Sequence, residues 1–119
     1  MEAYELAKLL ARALDSKKGG DLKVLRTEGV TTLADYFVIC TATSNTQVKA
    51  MSDACEEAAE KNGERVHHIE GHGDGIWLLM DFSGVVVHVF TEEARKFYDL
   101  ERLWSDGKPL DMTEILTKA

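Results

Sequence analysis

The sequence is poor in the residues that interrupt, staple or solvate a chain in unusual ways. One proline in 119 residues excludes a proline-rich linker and points to compact order nearly throughout. The two cysteines, Cys40 and Cys55, fall in a strand-like and a helical run with no CxxC spacing. They read as packed thiols, not as redox or zinc residues. No apolar run approaches the roughly twenty residues that span a bilayer. Met1 opens an amphipathic stretch without a signal-peptide pattern, so a cytoplasmic location and no membrane partner are expected. Basic residues are also in deficit, with 14 Lys and Arg against 21 Asp and Glu, a formal charge of −7. Clustered cations are what neutralise phosphates, so this balance argues against nonspecific binding to a nucleic-acid backbone, with no DNA partner expected. A basic protein partner fits better.

The length suits one hydrophobic core. Ala3, Leu6, Ala7, Leu10 and Leu14 recur at helical spacing, with Glu2, Glu5, Lys8 and Arg12 on the polar side. Lys17 to Gly20 breaks that helix, and Leu22 to Arg26 reads as a short strand. Ala34 to Thr41 is nearly continuous in apolar character, the pattern of a central strand buried on both faces. Ser44 followed by Gln47 has capping-box spacing before a long helix that Gly63 ends, with Val48, Met51, Ala54, Cys55, Ala58 and Ala59 on one face. Arg65 to Glu70 is a further strand, giving a strand, helix, strand unit with parallel strands.

The most informative stretch runs from Gly75 to Trp104. A turn at Ser83 and Gly84 sets Phe82 opposite Val85, Met80 opposite Val87, Leu79 opposite His88 and Trp77 opposite Phe90. One face then carries Leu78, Met80, Phe82, Val85, Val87 and Val89, all apolar. The other carries Trp77, Leu79, Asp81, Val86, His88 and Phe90. Large aromatics beside a carboxylate and an imidazole make a surface to be covered, by the protein's own helices or by a partner. Thr91 is a candidate N-cap for the next helix, and Glu92 and Glu93 in its first turn suit the helix dipole. Ala94, Phe97, Tyr98, Leu100, Glu101 and Trp104 follow at three- and four-residue spacing. The expected architecture is α/β or α+β, a mixed sheet of about five strands with helices mainly on one face. Residues 1–105 are expected to form one domain, with 106–119 as an appendage that contains a short helix from Asp111.

Motifs for chemistry are weak. His67, His68, Glu70, His72 and Asp74 invite a metal reading, but adjacent His67 and His68 point to opposite faces of a strand. Gly71, Gly73 and Gly75 lack the GxGxxG spacing, the P-loop lysine and a following helix. Asp35 and Asp81 lie on separate strands, and Ser44 lacks a GxSxG elbow. No catalytic residue, metal or cofactor is expected.

The chain resembles the Iojap-like ribosomal silencing factors. The resemblance rests on Ala34-Asp35-Tyr36-Phe37-Val38-Ile39, the Thr-Ala-Thr-Ser turn with Gln47 and Val48, Glu70-Gly71, Trp77 with Asp81, Val87-His88, and Arg95, Phe97, Tyr98, Leu100, Glu101, Leu103 and Trp104. It implies a nucleotidyltransferase-like fold without that fold's Gly-Ser and DxD pattern, and a non-enzymatic protein. It also implies binding to the large ribosomal subunit through large-subunit ribosomal protein number fourteen. That contact would block joining of the small subunit and repress translation under nutrient limitation. A metal-dependent nucleotidyltransferase-like enzyme is the alternative. Joined to the mixed hairpin face, the resemblance makes Trp77, Leu79, His88, Phe90 and Tyr98 the expected anchors, with Asp81, Glu70 and Glu101 as polar contacts. Two exposed aromatics on that face also suggest a homodimer.

Overall fold

A computed structural model describes residues 1–29, 34–71, 77–98 and 107–116. The amphipathic N-terminal segment forms α1 (Ala3–Ser16), burying Leu6, Ala7, Leu10, Ala11 and Leu14. It leads into β1 (Gly20–Arg26) and then β2 (Tyr36–Ala42). Next come α2 (Asn45–Lys61), β3 (His68–Glu70), β4 (Trp77–Phe82) and β5 (Val85–Thr91). The described chain closes with α3 (Glu92–Tyr98), β6 (Lys108–Pro109) and α4 (Met112–Leu116).

The six strands form one mixed sheet in the order β3-β4-β5-β2-β1-β6. β2 pairs with β5 in parallel, and the other four pairings are antiparallel. β2 is central, as its apolar continuity requires, and all its residues except Thr41 are buried. The hairpin register agrees with the sequence reading, since Trp77 pairs with Phe90, Leu79 with His88, Met80 with Val87 and Phe82 with Val85. Two features differ. β2 and β3 run the same way, but β5 and β4 lie between them, because the β4–β5 hairpin inserts beside β2. The C-terminal segment, expected outside the domain, contributes a sixth strand paired with β1 and places Ile115 in the core at 1% exposure. Arg12 Nε donates to the Ile115 carbonyl at 2.8 Å, which ties α4 to α1.

The cap of α2 departs from the reciprocal box. Gln47 N donates to Ser44 Oγ at 3.1 Å, but the Gln47 side chain turns to Thr43, accepting from Thr43 Oγ1 at 2.8 Å. Its amide donates to the carbonyls of Lys17 and Lys18, so Gln47 joins the end of α1 to the start of α2. At the other end, Glu64 N donates to Ala59 O and Gly63 N to Glu60 O, with Gly63 at φ +78°. That is a Schellman closure, which needs the left-handed conformation glycine adopts without a Cβ penalty.

The main core lies between α1, α2, α4 and one face of the sheet. Gly19 shows how closely it is packed: a Cβ there would sit 2.2 Å from Cys40 Sγ and 3.3 Å from Met51 Cε. Both neighbours are fully buried. Overpacking of this kind costs about 1–3 kcal/mol. Gly19→Ala is therefore expected to lower the urea midpoint, with part of the loss recovered in the Gly19→Ala/Cys40→Ala pair. Unchanged stability of Gly19→Ala would contradict this packing.

Candidate functional site

The hairpin separates its side chains as a pleat must. Leu78, Met80, Phe82, Val85, Val87 and Val89 enter the main core under the helices. Trp77, Leu79, Val86 and Phe90 belong to a second apolar cluster on the opposite face, joined by Leu25, Ala34, Phe37 and Ile39 from β1, β2 and the turn before β2. Among the described helices only α3 contributes to that cluster, through Ala94.

An aromatic row crosses this face. The Trp77 and Phe90 rings stack with centroids 6.3 Å apart. Phe90 and His88 stack at 5.9 Å with planes 3° apart, and Phe37 meets His88 edge-on at 5.2 Å. Phe37 joins the row through the parallel β2–β5 register, which sets it beside Val86 and sets Ile39 beside His88. Hairpin spacing carries no signal for that neighbour, so Phe37 was not among the expected site residues.

The row is covered at one end and open at the other. Phe90 and His88 are 1% and 5% exposed, whereas Trp77, Leu79 and Asp81 are half-buried. His88 and Phe90 thus underlie the face in the free chain, while Trp77 and Leu79 reach its surface. Neither His88 ring nitrogen has a hydrogen-bond partner among the described residues. Burial among apolar neighbours penalises the charged ring and pulls its pKa from 6.5 to about 4, so the imidazole is neutral at pH 7.

The polar edge comes from β3 and β4. His68 pairs with Asp81 across the strands and Glu70 with Leu79, so all four side chains share the face of Trp77. His68 Nε2 and Glu70 Oε1 lie 2.7 Å apart, both more than half exposed, where an ion pair adds little to stability. Tyr98 ends α3. Its side chain, and the whole of Glu101, His72 and Asp74, lie outside the described residues.

Arg95, buried on α3, fixes that helix to the sheet. Its Nη1 donates to the Asp21 carbonyl at 2.5 Å and to Thr41 Oγ1 at 2.8 Å, and Nη2 lies 3.4 Å from the Asp21 carboxylate. Asp21 sits at φ +42° in the irregular start of β1. A one-dimensional reading cannot pair residues 74 positions apart, so this contact was not anticipated.

Among the described residues no three His, Cys, Asp or Glu side chains converge to hold a metal. Burial pushes the Cys40 thiol up to about 11 and the Cys55 thiol up as well, which keeps both protonated and poorly nucleophilic. A groove of about 580 Å³ between α1 and α2, lined by Leu9, Arg12, Ala13, Ala54, Ala58 and Leu116 among others, contains none of the expected site residues. No described helix is long and apolar enough to cross a membrane.

The fold and this face define a mixed-sheet α/β protein with α1, α2 and α4 on one side and, on the other, an aromatic, partly open sheet surface that α3 borders through Ala94. The family model described as ribosomal silencing factor during starvation, RsfS, matches residues 1–119, and the chain belongs to that family. It is 38% identical over 112 residues to the ribosomal silencing factor RsfS of Bacillus subtilis, covering 94% of this chain and 95% of that one. It is 33% identical over 114 residues to the chloroplastic protein Iojap of Zea mays, covering 93% of this chain and 48% of that longer one. A crystal structure of a protein from Chromobacterium violaceum superposes with a TM-score of 0.85 at 38% identity, covering 88% of each chain.

Proposed function

We propose that this chain represses translation in the cytoplasm by binding the large ribosomal subunit, through large-subunit ribosomal protein number fourteen, and blocking entry of the small subunit. The observation that carries this reading is the open end of the aromatic row, where Trp77 and Leu79 lie half-buried on the sheet face away from α1, α2 and α4. A half-buried tryptophan and leucine rimmed by Glu70 and Asp81 have the make-up of an interface centre. The net charge of −7 suits a basic ribosomal protein, whose encounter it would accelerate. In this reading Trp77, Leu79 and Tyr98 touch the partner, His88 and Phe90 support them from below, and Glu70, Asp81 and Glu101 orient the contact. The nucleotidyltransferase-like arrangement serves as a scaffold, and repression needs no covalent chemistry.

Co-sedimentation with purified subunits tests this. The protein is expected to pellet with large subunits, not with small ones, and to lower the yield of joined ribosomes when added before mixing. Binding to neither subunit would overturn the assignment. Turnover of a nucleoside triphosphate with magnesium or manganese that Asp81→Asn abolishes would favour the enzyme instead.

A further inference from the structure

Gly71 stands one residue beyond the last β3–β4 pair, and what a Cβ would meet there sets it apart from the other left-handed glycines. At Gly84, φ +79°, a Cβ would meet side chains only, Ala3 Cβ at 3.1 Å and Asp35 Oδ2 at 3.5 Å. Gly29 and Gly63, at φ +84° and +78°, would each place a Cβ in open space. For them only the backbone conformation calls for glycine. Gly71, at φ +91°, would also drive a Cβ to 2.2 Å from the Trp77 carbonyl oxygen and 3.0 Å from its carbon, with Leu78 Cα at 3.2 Å. The obstacle is backbone, which cannot rotate aside as a side-chain tip can.

That backbone belongs to the first residue of β4, the terminal rung of the hairpin, where Trp77 pairs with Phe90. A shift there moves the indole directly, because the ring is carried on the displaced peptide and held by its stack on Phe90 at 6.3 Å. The Glu70–Leu79 pair, one rung inward, anchors the other side of the contact. Gly71 therefore bears on Trp77 from an edge strand that includes none of the aromatic row.

We propose that Gly71 is a positioning residue for the docking face. Its bare α-carbon lets β3 close onto the Trp77 peptide and so sets where the indole stands above Phe90. This rests on the reading of Trp77 as an interface anchor.

The test combines a local spectroscopic signal with binding. 5-Fluorotryptophan is incorporated at both tryptophans of the full chain, and the Trp77 fluorine resonance is assigned by its loss in Trp77→Phe. In Gly71→Ala that resonance is expected to move toward the position of solvent-exposed fluorotryptophan. Affinity for purified large subunits is expected to fall at least tenfold in Gly71→Ala, and not to fall further when the change is added to Trp77→Ala. An unmoved Trp77 resonance, or an additional loss in the Trp77→Ala background, would overturn the proposal. If the parent binds no large subunit, the docking reading fails, and the resonance still decides whether Gly71 positions the indole. Should Gly71→Ala not fold, the Gly71→Ala/Trp77→Ala pair decides. With no indole stack holding the terminal rung, the pair is expected to fold as Trp77→Ala does, and its failure to do so would make Gly71 a fold requirement independent of Trp77.

Discussion

Trp77→Ala is expected to weaken large-subunit binding by roughly thirtyfold or more while the far-UV circular dichroism stays that of the parent. Trp77 is half-buried at the end of the sheet and makes no part of the core under the helices, so its truncation leaves that core intact. At an interface, losing a large aromatic anchor costs about 2 kcal/mol or more, which is the thirtyfold factor. A rim carboxylate behaves differently. Asp81→Asn is expected to change mainly the association rate and its salt dependence, since exposed charges steer encounter more than they hold a complex. Restored subunit joining with Trp77→Ala, alongside lost co-sedimentation, would tie the anchor to repression. The same face would pair two copies of the free protein in competition with the ribosome, so the mass by light scattering at high concentration should fall toward monomer in Trp77→Ala. A folded Trp77→Ala that binds the large subunit as tightly as the parent would remove Trp77 from the interface.

His88 produces the second large effect, on stability and not on binding. Its ring is 5% exposed and has no hydrogen-bond partner among the described residues. The residues packed beside it, Phe37 and Phe90 by ring contact and Ile39 and Leu79 by strand pairing, carry no charge. The folded pKa of about 4 lies below the ordinary 6.5, so between those values the unfolded chain binds more protons. Stability contributed at this site is then fully present above about pH 6.5 and is lost as pH falls toward 4. At about 1.4 kcal/mol per pH unit across that window, the loss is on the order of 3 kcal/mol. In His88→Leu that component of the acid dependence disappears, and the difference between parent and variant isolates it from the carboxylates that titrate nearby in pH. At pH 7.5 the variant sheds two unsatisfied polar atoms, worth about 1–3 kcal/mol, against aromatic contacts worth about 0.5–1.5 kcal/mol. It should therefore be at least as stable as the parent. Urea unfolding from pH 4.5 to 7.5 measures both, and a variant with the parent's pH slope would show that His88 is not the titrating group.

The sequence by itself determined those features that depend on short-range periodicity. The two-residue alternation of the hairpin specified which of its side chains share a face, because a one-residue slip would expose Leu78, Met80 and Val87. The Ser44 cap, the Gly63 stop and the buried continuity of β2 are likewise local, settled by donors and conformations within a few residues. Only the tertiary structure decided how deep each member of the mixed face lies. His88 and Phe90 share their pleat with Trp77, but the parallel pairing of β2 brings Phe37 and Ile39 alongside them and α3 adds Ala94, so they sink while Trp77 and Leu79 on β4 stay half-buried. The Arg95 clamp on Asp21 and the approach of Gly71 to the Trp77 carbonyl arise the same way. So does the return of Ile115 to the core. Each joins segments whose neighbourhood is set by strand order and loop path. Periodicity tells which way a side chain points; what meets it there is settled when the sheet closes.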